Sequence, residues 1–476
     1  MTRRIARISL LLVALLLLAA LAAWWLLRGS LPRLDGEATL PGLSAPVAIE
    51  RDALGVVTID AASRADAMRA LGYVHAQERY FEMDLMRRDA AGELSALFGP
   101  RALDKDRDRR VHRMRARVEA GLVQGPSAHA AELDAYVAGV EAGRGDLGAR
   151  PWPYLLLRQD PRPWARADSP LVGLAMYFDL QDEGNARELG LWRVRPHLPP
   201  ALYTLLTHDG SEWDAPLQGQ SRGPAPLPGP GLVDLRELPA PDVEKAISTS
   251  ARPLDVFPVG SNNFAVAGAL TGDGGAIVAD DMHLGLRAPN IWFRVRLRYT
   301  DPRAPDGRVD VTGFSLPGLP GMVVGSNGHV AWGFTNSYGD WADWRLERGC
   351  ADDCPAARTW VERIDVAGGA PVEFEVRETH WGPLLHATDA GDGLALRWAA
   401  HLPGALDFGL LDFAHAGSLQ ALFAAADHAA LPAQNLLAGD RDGRIGWRLL
   451  GPMPAGTRCD FERPVGISAT AQAGAG

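Results

Sequence analysis

Gly260-Ser261-Asn262-Asn263-Phe264 stands where a long Pro/Gly-rich stretch gives way to the first of a series of β-type segments. The glycine frees the chain to turn just ahead of a serine that heads the strand. Alone, such a pair is an ordinary turn, and its weight comes from what flanks it. Upstream, residues 215–260 carry Pro224, Pro226, Pro228 and Pro230 among glycines and small residues, with no hydrophobic period. That is the composition of a connector. Downstream, short apolar or alternating runs at 263–267, 276–279, 291–299, 322–324, 330–334, 344–347 and 444–449 are separated by Gly, Asp and Asn turns. They predict a mainly β second half.

Ahead of the connector the pattern is helical. A long helix is predicted over 63–98, with Ser63 and Asp66 forming its capping pattern and Gly99-Pro100 ending it. Further helices are expected over 111–143 and 171–194. Glu78, Arg79, Glu82, Asp84, Arg87, Arg88 and Glu93 crowd the first of these, a density that reads as a solvated face laced by i, i+4 pairs. The chain divides into an apolar N-terminus (1–30), a helical region (31–214), the connector (215–260), a β-rich region (261–458) and a polar, small-residue tail (459–476). The fold class is therefore α+β.

Composition narrows the function classes. The 476 residues are 47% hydrophobic and 22% charged, which excludes wholesale disorder, and 52 glycines with 35 prolines argue against a helical bundle. A net charge of -10 excludes a surface built to track phosphates, so nucleic acid is not an expected partner. Three cysteines offer no zinc-ligand spacing. Cys350 and Cys354 either close a small disulfide loop in an oxidising compartment or remain free thiols, with Cys459 left over. Arg3, Arg4 and Arg7 precede an uninterrupted apolar and small-residue run from Ile8 to Leu27, long enough to cross a bilayer as a helix. Positive residues stay in the cytoplasm, so the body is expected to be extracytoplasmic, with Trp24 and Trp25 at the interface. A cleavable signal peptide is the competing reading, and the apolar Trp-Trp-Leu-Leu that follows Ala20-Leu21-Ala22 favours an uncleaved anchor.

Three more constellations follow the serine. Asp280-Asp281-Met282-His283-Leu284 is a polar turn with a histidine. Gly325-Ser326-Asn327-Gly328-His329, running on to Asn336 and then to Asp340 and Asp343, reads as a β-hairpin on an Asn-Gly turn. Gln434-Asn435 leads to a second hairpin over 440–446, too short for an EF-hand and lacking its final Glu. Taken singly, each has a structural explanation.

In this order, however, they resemble the penicillin acylase family of N-terminal-nucleophile hydrolases. Gly72-Tyr73-Val74-His75-Ala76-Gln77-Glu78-Arg79, continuing to Gly92-Glu93-Leu94, is similar to the family's small-subunit signature. Pro317-Gly318-Leu319-Pro320 and Thr379-His380-Trp381-Gly382-Pro383 also fall in family order, and the resemblance covers roughly Leu40 to Arg458. It implies an αββα four-layer sandwich, present in part, and a precursor that cuts itself between Gly260 and Ser261 into small and large subunits. Ser261 would then be nucleophile and N-terminus at once, its α-amine serving as base. The Asn435 side chain and the Asn336 backbone amide would bind the oxyanion, His283 would orient the nucleophile, and Arg458 would hold Asn435 or the amine. Glu188, Asp340 and Asp343 match positions that bind a structural calcium ion, and no organic cofactor is implied.

The implied substrate is a small N-acyl compound whose linear amide is hydrolysed: the side chain of a β-lactam, an N-acyl-homoserine lactone or a relative. Leu284 and Val324 stand where phenylacetyl-preferring members carry phenylalanine, which points to an aliphatic acyl group. Family members continue beyond the position of Arg458 with further strands and helices, so the sequence reads as C-terminally truncated. Two rival readings follow: an inactive remnant of such an acylase, and an ordinary serine hydrolase using His283 or His329 as base without self-cleavage.

Overall fold

The computed structural model describes residues 2–124, 128–216, 219–234, 236, 260–352 and 354–453. Arg458 and the 459–476 tail lie outside them, as does most of the connector. An apolar helix, Thr2–Gly29, leads into a helical layer whose centre is the helix Arg64–Ala91. Ser63 caps that helix through its side chain, and Gly92, at φ 65°, closes it. The helices Ala130–Gly145 and Asp168–Leu180 pack against it. The first pairing is close because Gly139 and Gly143 meet the backbone of Arg69 and Tyr73, where a Cβ would sit 1.9 and 2.3 Å from carbonyl oxygens.

The described strands are β1 (Ala48–Arg51), β2 (Val57–Ala61), β3 (Ser261–Val266), β4 (Ile277–Met282), β5 (Phe293–Thr300), β6 (Arg308–Ser315), β7 (Met322–Ser326), β8 (Val330–Asn336), β9 (Ala342–Glu347), β10 (Arg358–Ile364), β11 (Val372–Glu378), β12 (Leu384–Ala387), β13 (Gly393–Trp398), β14 (Gln434–Asp440) and β15 (Ile445–Leu450). Eight of them form the main sheet in the order β1-β2-β5-β6-β7-β8-β14-β15. Its one parallel pair is β2 with β5, so the helical half contributes two strands to the sheet of the β-rich half. The smaller sheets are β12-β13-β9, β10-β11 and the hairpin β3-β4.

Alternation along β8 separates the layers. Trp332 faces the helical side, sharing a small cavity with Met68 of the long helix and Leu297 of β5. Gly333 faces the other way, and a Cβ there would lie 2.8 Å from Asp280 of β4. Helices thus cover one face of the main sheet and the hairpin headed by Ser261 covers the other. Three of the expected four layers are present among the described residues.

Three expectations are corrected here. The helix expected over 63–98 is closed at Gly92, and a separate short helix, Ser95–Phe98, follows. The helix expected over 171–194 is two helices, Asp168–Leu180 and Ala186–Val194, because the chain turns extended at Gln181, φ -127°, and left-handed at Asn185, φ 41°. The charges of the long helix are not a solvated face. Asp84, Arg87 and Arg88 are 0%, 3% and 2% exposed. Arg87 Nε and Arg88 Nε both donate to Asp84 Oδ1, at 2.7 and 2.8 Å, and the Tyr154 hydroxyl donates to Asp84 Oδ2 at 2.5 Å. Arg87 Nη1 also donates to Asp168 at 2.5 Å. Burial alone would raise the Asp84 pKa, but the two guanidiniums beside it hold the carboxyl below its usual range. Cys350 and Cys354 form a disulfide.

Candidate active site

Ser261 opens β3 opposite Met282 of β4, and the next residue along, His283, donates its backbone N–H to the Gly260 carbonyl at 3.2 Å. The carbonyl that precedes the serine is therefore held and polarised by a backbone donor. The His283 ring is half exposed, and its Nε2 lies 3.0 Å from Asp281 Oδ2. On the sheet side, Asn435 of β14 stands opposite Thr335 of β8, and Gln434 opposite Asn336. Asn435 Nδ2 donates to Thr335 Oγ1 at 3.2 Å and to the Asn336 carbonyl at 3.1 Å, while Trp447 Nε1 donates to Asn435 Oδ1 at 3.1 Å. Asn263 Nδ2 reaches the Asn435 carbonyl at 3.5 Å, joining the serine hairpin to this end of the sheet. Both hydrogens of the Asn435 amide are thus committed within the sheet, and binding an oxyanion there requires the side chain to release at least one of them.

Ser261 lines a cleft of about 660 Å3 that is open to solvent. Its walls are apolar: Met176 and Leu180 from the helical layer, Met282 and Leu284 from the β4 end, Leu316 and Leu319 from the loop after β6, and Trp292 and Phe334 as aromatic members. Gln434 is the polar side chain at its base besides the serine. Leu284 lies in this wall. Val324 does not: Val323 lines the cleft, and Val324 is buried in β7 opposite Phe314. Successive strand residues point to opposite faces, and the irregular β6–β7 register at Phe314/Ser315 makes the inward set hard to read from sequence.

His329 sits at the opposite end of β8, 3.0 Å from Asp306, beside the turn in which Asn327 Oδ1 accepts from the His329 and Val330 backbone. Asn336 is seven residues along, a strand length of roughly 20 Å, so His329 cannot act as base for Ser261. Arg458 lies outside the described residues.

One residue that the sequence reading passed over supports the cleft wall from behind. His75, fully buried in the long helix, is 2.8 Å from the Tyr136 hydroxyl through Nδ1 and 3.0 Å from Ser315 Oγ through Nε2. Tyr136 in turn accepts the Gly318 N–H at 2.8 Å, so the two residues hold both ends of the turn carrying Leu316 and Leu319. Burial pushes the His75 pKa down to about 3, keeping the ring neutral. It lay inside the quoted helical motif, but its partners are 61 and 240 residues away.

Glu188, Asp340 and Asp343 come together, each offering an oxygen within 4.8 Å of the others. Asn185 positions the first of them: its Nδ2 donates to Glu188 Oε2 and to the Ala342 carbonyl, both at 2.6 Å. The break between the two helices is what brings Glu188 to this strand edge. Burial and then Asp340 push Glu188 up to about 8, and the same two causes push Asp343 up to about 6. Asp343 Oδ1 is buried and has no hydrogen-bond partner. Three crowded, desolvated carboxylates with a spare oxygen suit a hard cation with oxygen ligands.

A family model described as penicillin amidase matches residues 46–471. The chain belongs to the penicillin amidase family. It is 34% identical over 465 residues to penicillin acylase 2 proenzyme of Pseudomonas sp. (strain SE83), covering 92% of this chain and 56% of that protein. It is 30% identical to acyl-homoserine lactone acylase QuiP of Pseudomonas aeruginosa, covering 89% and 51%. The chain thus spans about half the length of the curated relatives it matches. Among solved structures, a penicillin G acylase from Alcaligenes faecalis is similar at 20% identity and a TM-score of 0.35, over 40% of this chain and 35% of that one. Mixed helix and sheet, with a helical N-terminal half and the serine hairpin stacked on the main sheet, give this family member an α+β fold.

Proposed function

We propose that the chain is the precursor of a self-cleaving acylase that hydrolyses a linear amide on a small N-acyl compound. The observation that carries this reading is the placement of Ser261: it heads a strand, lines an apolar cleft, and follows a carbonyl that accepts the His283 N–H. In the first step the Ser261 hydroxyl adds to the Gly260 carbonyl carbon, and the His283 amide takes up the charge forming on the oxygen. The C–N bond breaks, the acyl group passes to Oγ as an ester, and water hydrolyses the ester. One new carboxylate at Gly260 and one free α-amine at Ser261 result. That amine has an ordinary pKa of about 7.7–8.0, suited to accepting the serine proton through a water at neutral pH. The mature serine then takes an acyl group from the substrate amide and passes it to water.

The cleft is mainly aliphatic, which favours an aliphatic acyl chain over an aromatic one. Asn435 and the Asn336 amide serve the oxyanion once Asn435 releases Thr335 or the Asn336 carbonyl. Glu188, Asp340 and Asp343 would hold calcium, whose two positive charges would offset most of their negative charge, so that the helical segment 186–194 stays tied to the start of β9 after cleavage. The helix Arg3–Gly29, which contains an 18-residue window with a mean hydropathy of 2.7, is long and apolar enough to cross a membrane. It anchors the body on the periplasmic side.

Intact mass under denaturing conditions tests the reading. The exported wild-type chain should give two fragments, the second starting at Ser261, and Ser261→Ala should give one. A single uncut wild-type chain would overturn self-cleavage, and hydrolysis of an N-acyl substrate by that uncut chain would favour the ordinary serine hydrolase.

A further inference from the structure

We propose that the body of the protein rests on the bilayer through a second contact, the apolar face carrying Trp152 and Leu156, continuous with the foot of the N-terminal helix; this rests on the reading of that helix as an anchor. The helix does not end in a loose tether. The Gly29 carbonyl accepts the Ala149 N–H at 2.9 Å, and the approach is so close that a Cβ on Gly29 would lie 3.1 Å from that of Ala149. Four residues on, the Arg33 backbone N–H donates to Gln77 Oε1 at 2.7 Å and its guanidinium pairs with Asp146 at 3.2 Å. Ser44 is held by Asp66 in the same way, at 2.9 Å from its backbone nitrogen. The last turn of the apolar helix is therefore positioned against the 148–149 segment.

The short helix Trp152–Leu157 starts three residues beyond Ala149. Tyr154 is fully buried and anchors it to Asp84, while Trp152 and Leu156, an i, i+4 pair on the opposite face, are 53% and 74% exposed. Leu31 and Leu34, at the exit of the apolar helix, are 58% and 60% exposed. Large apolar side chains from two separate segments thus flank the point where the helix meets the body, with exposed Arg28 and Arg158 beside them. Asp160, four residues beyond Leu156, is paired with Arg150 at 2.5 Å, while Asp35 and Glu37 beyond Leu34 are exposed. A tryptophan, leucines and exposed arginines beside the foot of a membrane helix are what a lipid headgroup region accommodates. The consequence is a fixed orientation of the body at the surface of the membrane.

The test uses the full chain with Cys459→Ser and single Trp25→Cys, Trp152→Cys, Leu156→Cys or Val361→Cys changes. Each is labelled with an environment-sensitive fluorophore and reconstituted in phosphatidylcholine/phosphatidylglycerol vesicles carrying a shallow lipid quencher. Val361 is an exposed apolar residue on β10 and serves as the distant control. All four positions are exposed, so the substitutions remove no core contact. Quenching at 25, 152 and 156 with none at 361 is expected. Quenching at 25 alone overturns the second contact and leaves the anchor standing. No quenching at 25, with the protein failing to float with vesicles, overturns the anchor and the contact together.

Discussion

The long helix Arg64–Ala91 and the hairpin β3-β4 carry the two most polar motifs of the chain, yet they treat polarity in opposite ways. In the helix, Asp84, Arg87, Arg88 and His75 are buried and every one of them is hydrogen-bonded. In the hairpin, Ser261 and His283 are partly open, and Asp280 is half-buried with side-chain oxygens that lack a hydrogen-bond partner. Buried, fully paired groups hold a structure in one arrangement. Groups left half-open are available to react. The buried signature in the helix therefore works as scaffold, and the groups proposed for the chemistry are those of the hairpin and the sheet end behind it.

The sharpest way to break that contrast is to remove a charge from each region. Asp84→Ala leaves Arg87 and Arg88 buried beside an empty site, a loss of about 3–5 kcal/mol for a broken buried pair. That is a large share of the stability of a typical domain. The expected result is loss of soluble, folded protein, read by expression yield and circular dichroism. A folded, fully soluble Asp84→Ala chain would show that the buried network is dispensable.

How much of this was legible depended on the range of the interaction. The Asn327-Gly328 turn could be read because Asn327 bonds to its own neighbours, and Ser63 could be read as a cap for the same reason. The fate of Asp84 could not, since Tyr154 and Asp168, the partners that complete its network, lie 70 residues or more downstream. The chemistry proposed for Ser261 was inferred from an ordered set of motifs, and the structure adds the His283 N–H on the Gly260 carbonyl. Asn435 and Asn336 meet at adjacent strands as that order implied, but the engagement of the Asn435 amide by Thr335 is a tertiary detail with no local signal. Val323 in place of Val324 is a one-residue error of register, which in a strand reverses the face.

The proposed calcium site sharpens the comparison from between the two regions, because Glu188 comes from the helical half of the chain and Asp340 and Asp343 from the β-rich half. Chelation should lower the unfolding temperature, and calcium at a hundredfold its Kd should restore about 2.7 kcal/mol. Asp343→Asn should weaken the response without abolishing the fold. A chain whose unfolding temperature ignores both chelator and added calcium would leave the three carboxylates as an unoccupied acidic cluster.

His75 tests whether the scaffold reaches into the cleft. His75→Gln should cost about 1–3 kcal/mol if it leaves Tyr136 or Ser315 without a partner. Its pH signature has a defined sign. Folded His75 titrates near 3 and unfolded histidine near 6.5, so the unfolded chain binds more protons between those values, and stability is lost as the pH falls from 6.5. The variant should flatten that slope by up to about 1.4 kcal/mol per pH unit. An unchanged slope would mean that other buried imidazoles, His112 and His401, carry the acid sensitivity.

The smallest expected effect on the fold is at the proposed nucleophile. Ser261 is partly exposed at the edge of a two-stranded hairpin, and removing its hydroxyl deletes one oxygen without opening a cavity or orphaning a buried partner. Surface changes of this kind usually lie within about 0.5 kcal/mol. Ser261→Ala should therefore match the wild-type chain in soluble yield and circular dichroism while ending cleavage completely, because alanine supplies no nucleophile. A Ser261→Ala chain that failed to fold would place the serine among the scaffold groups, and the division between a paired helix and a reactive hairpin would no longer hold.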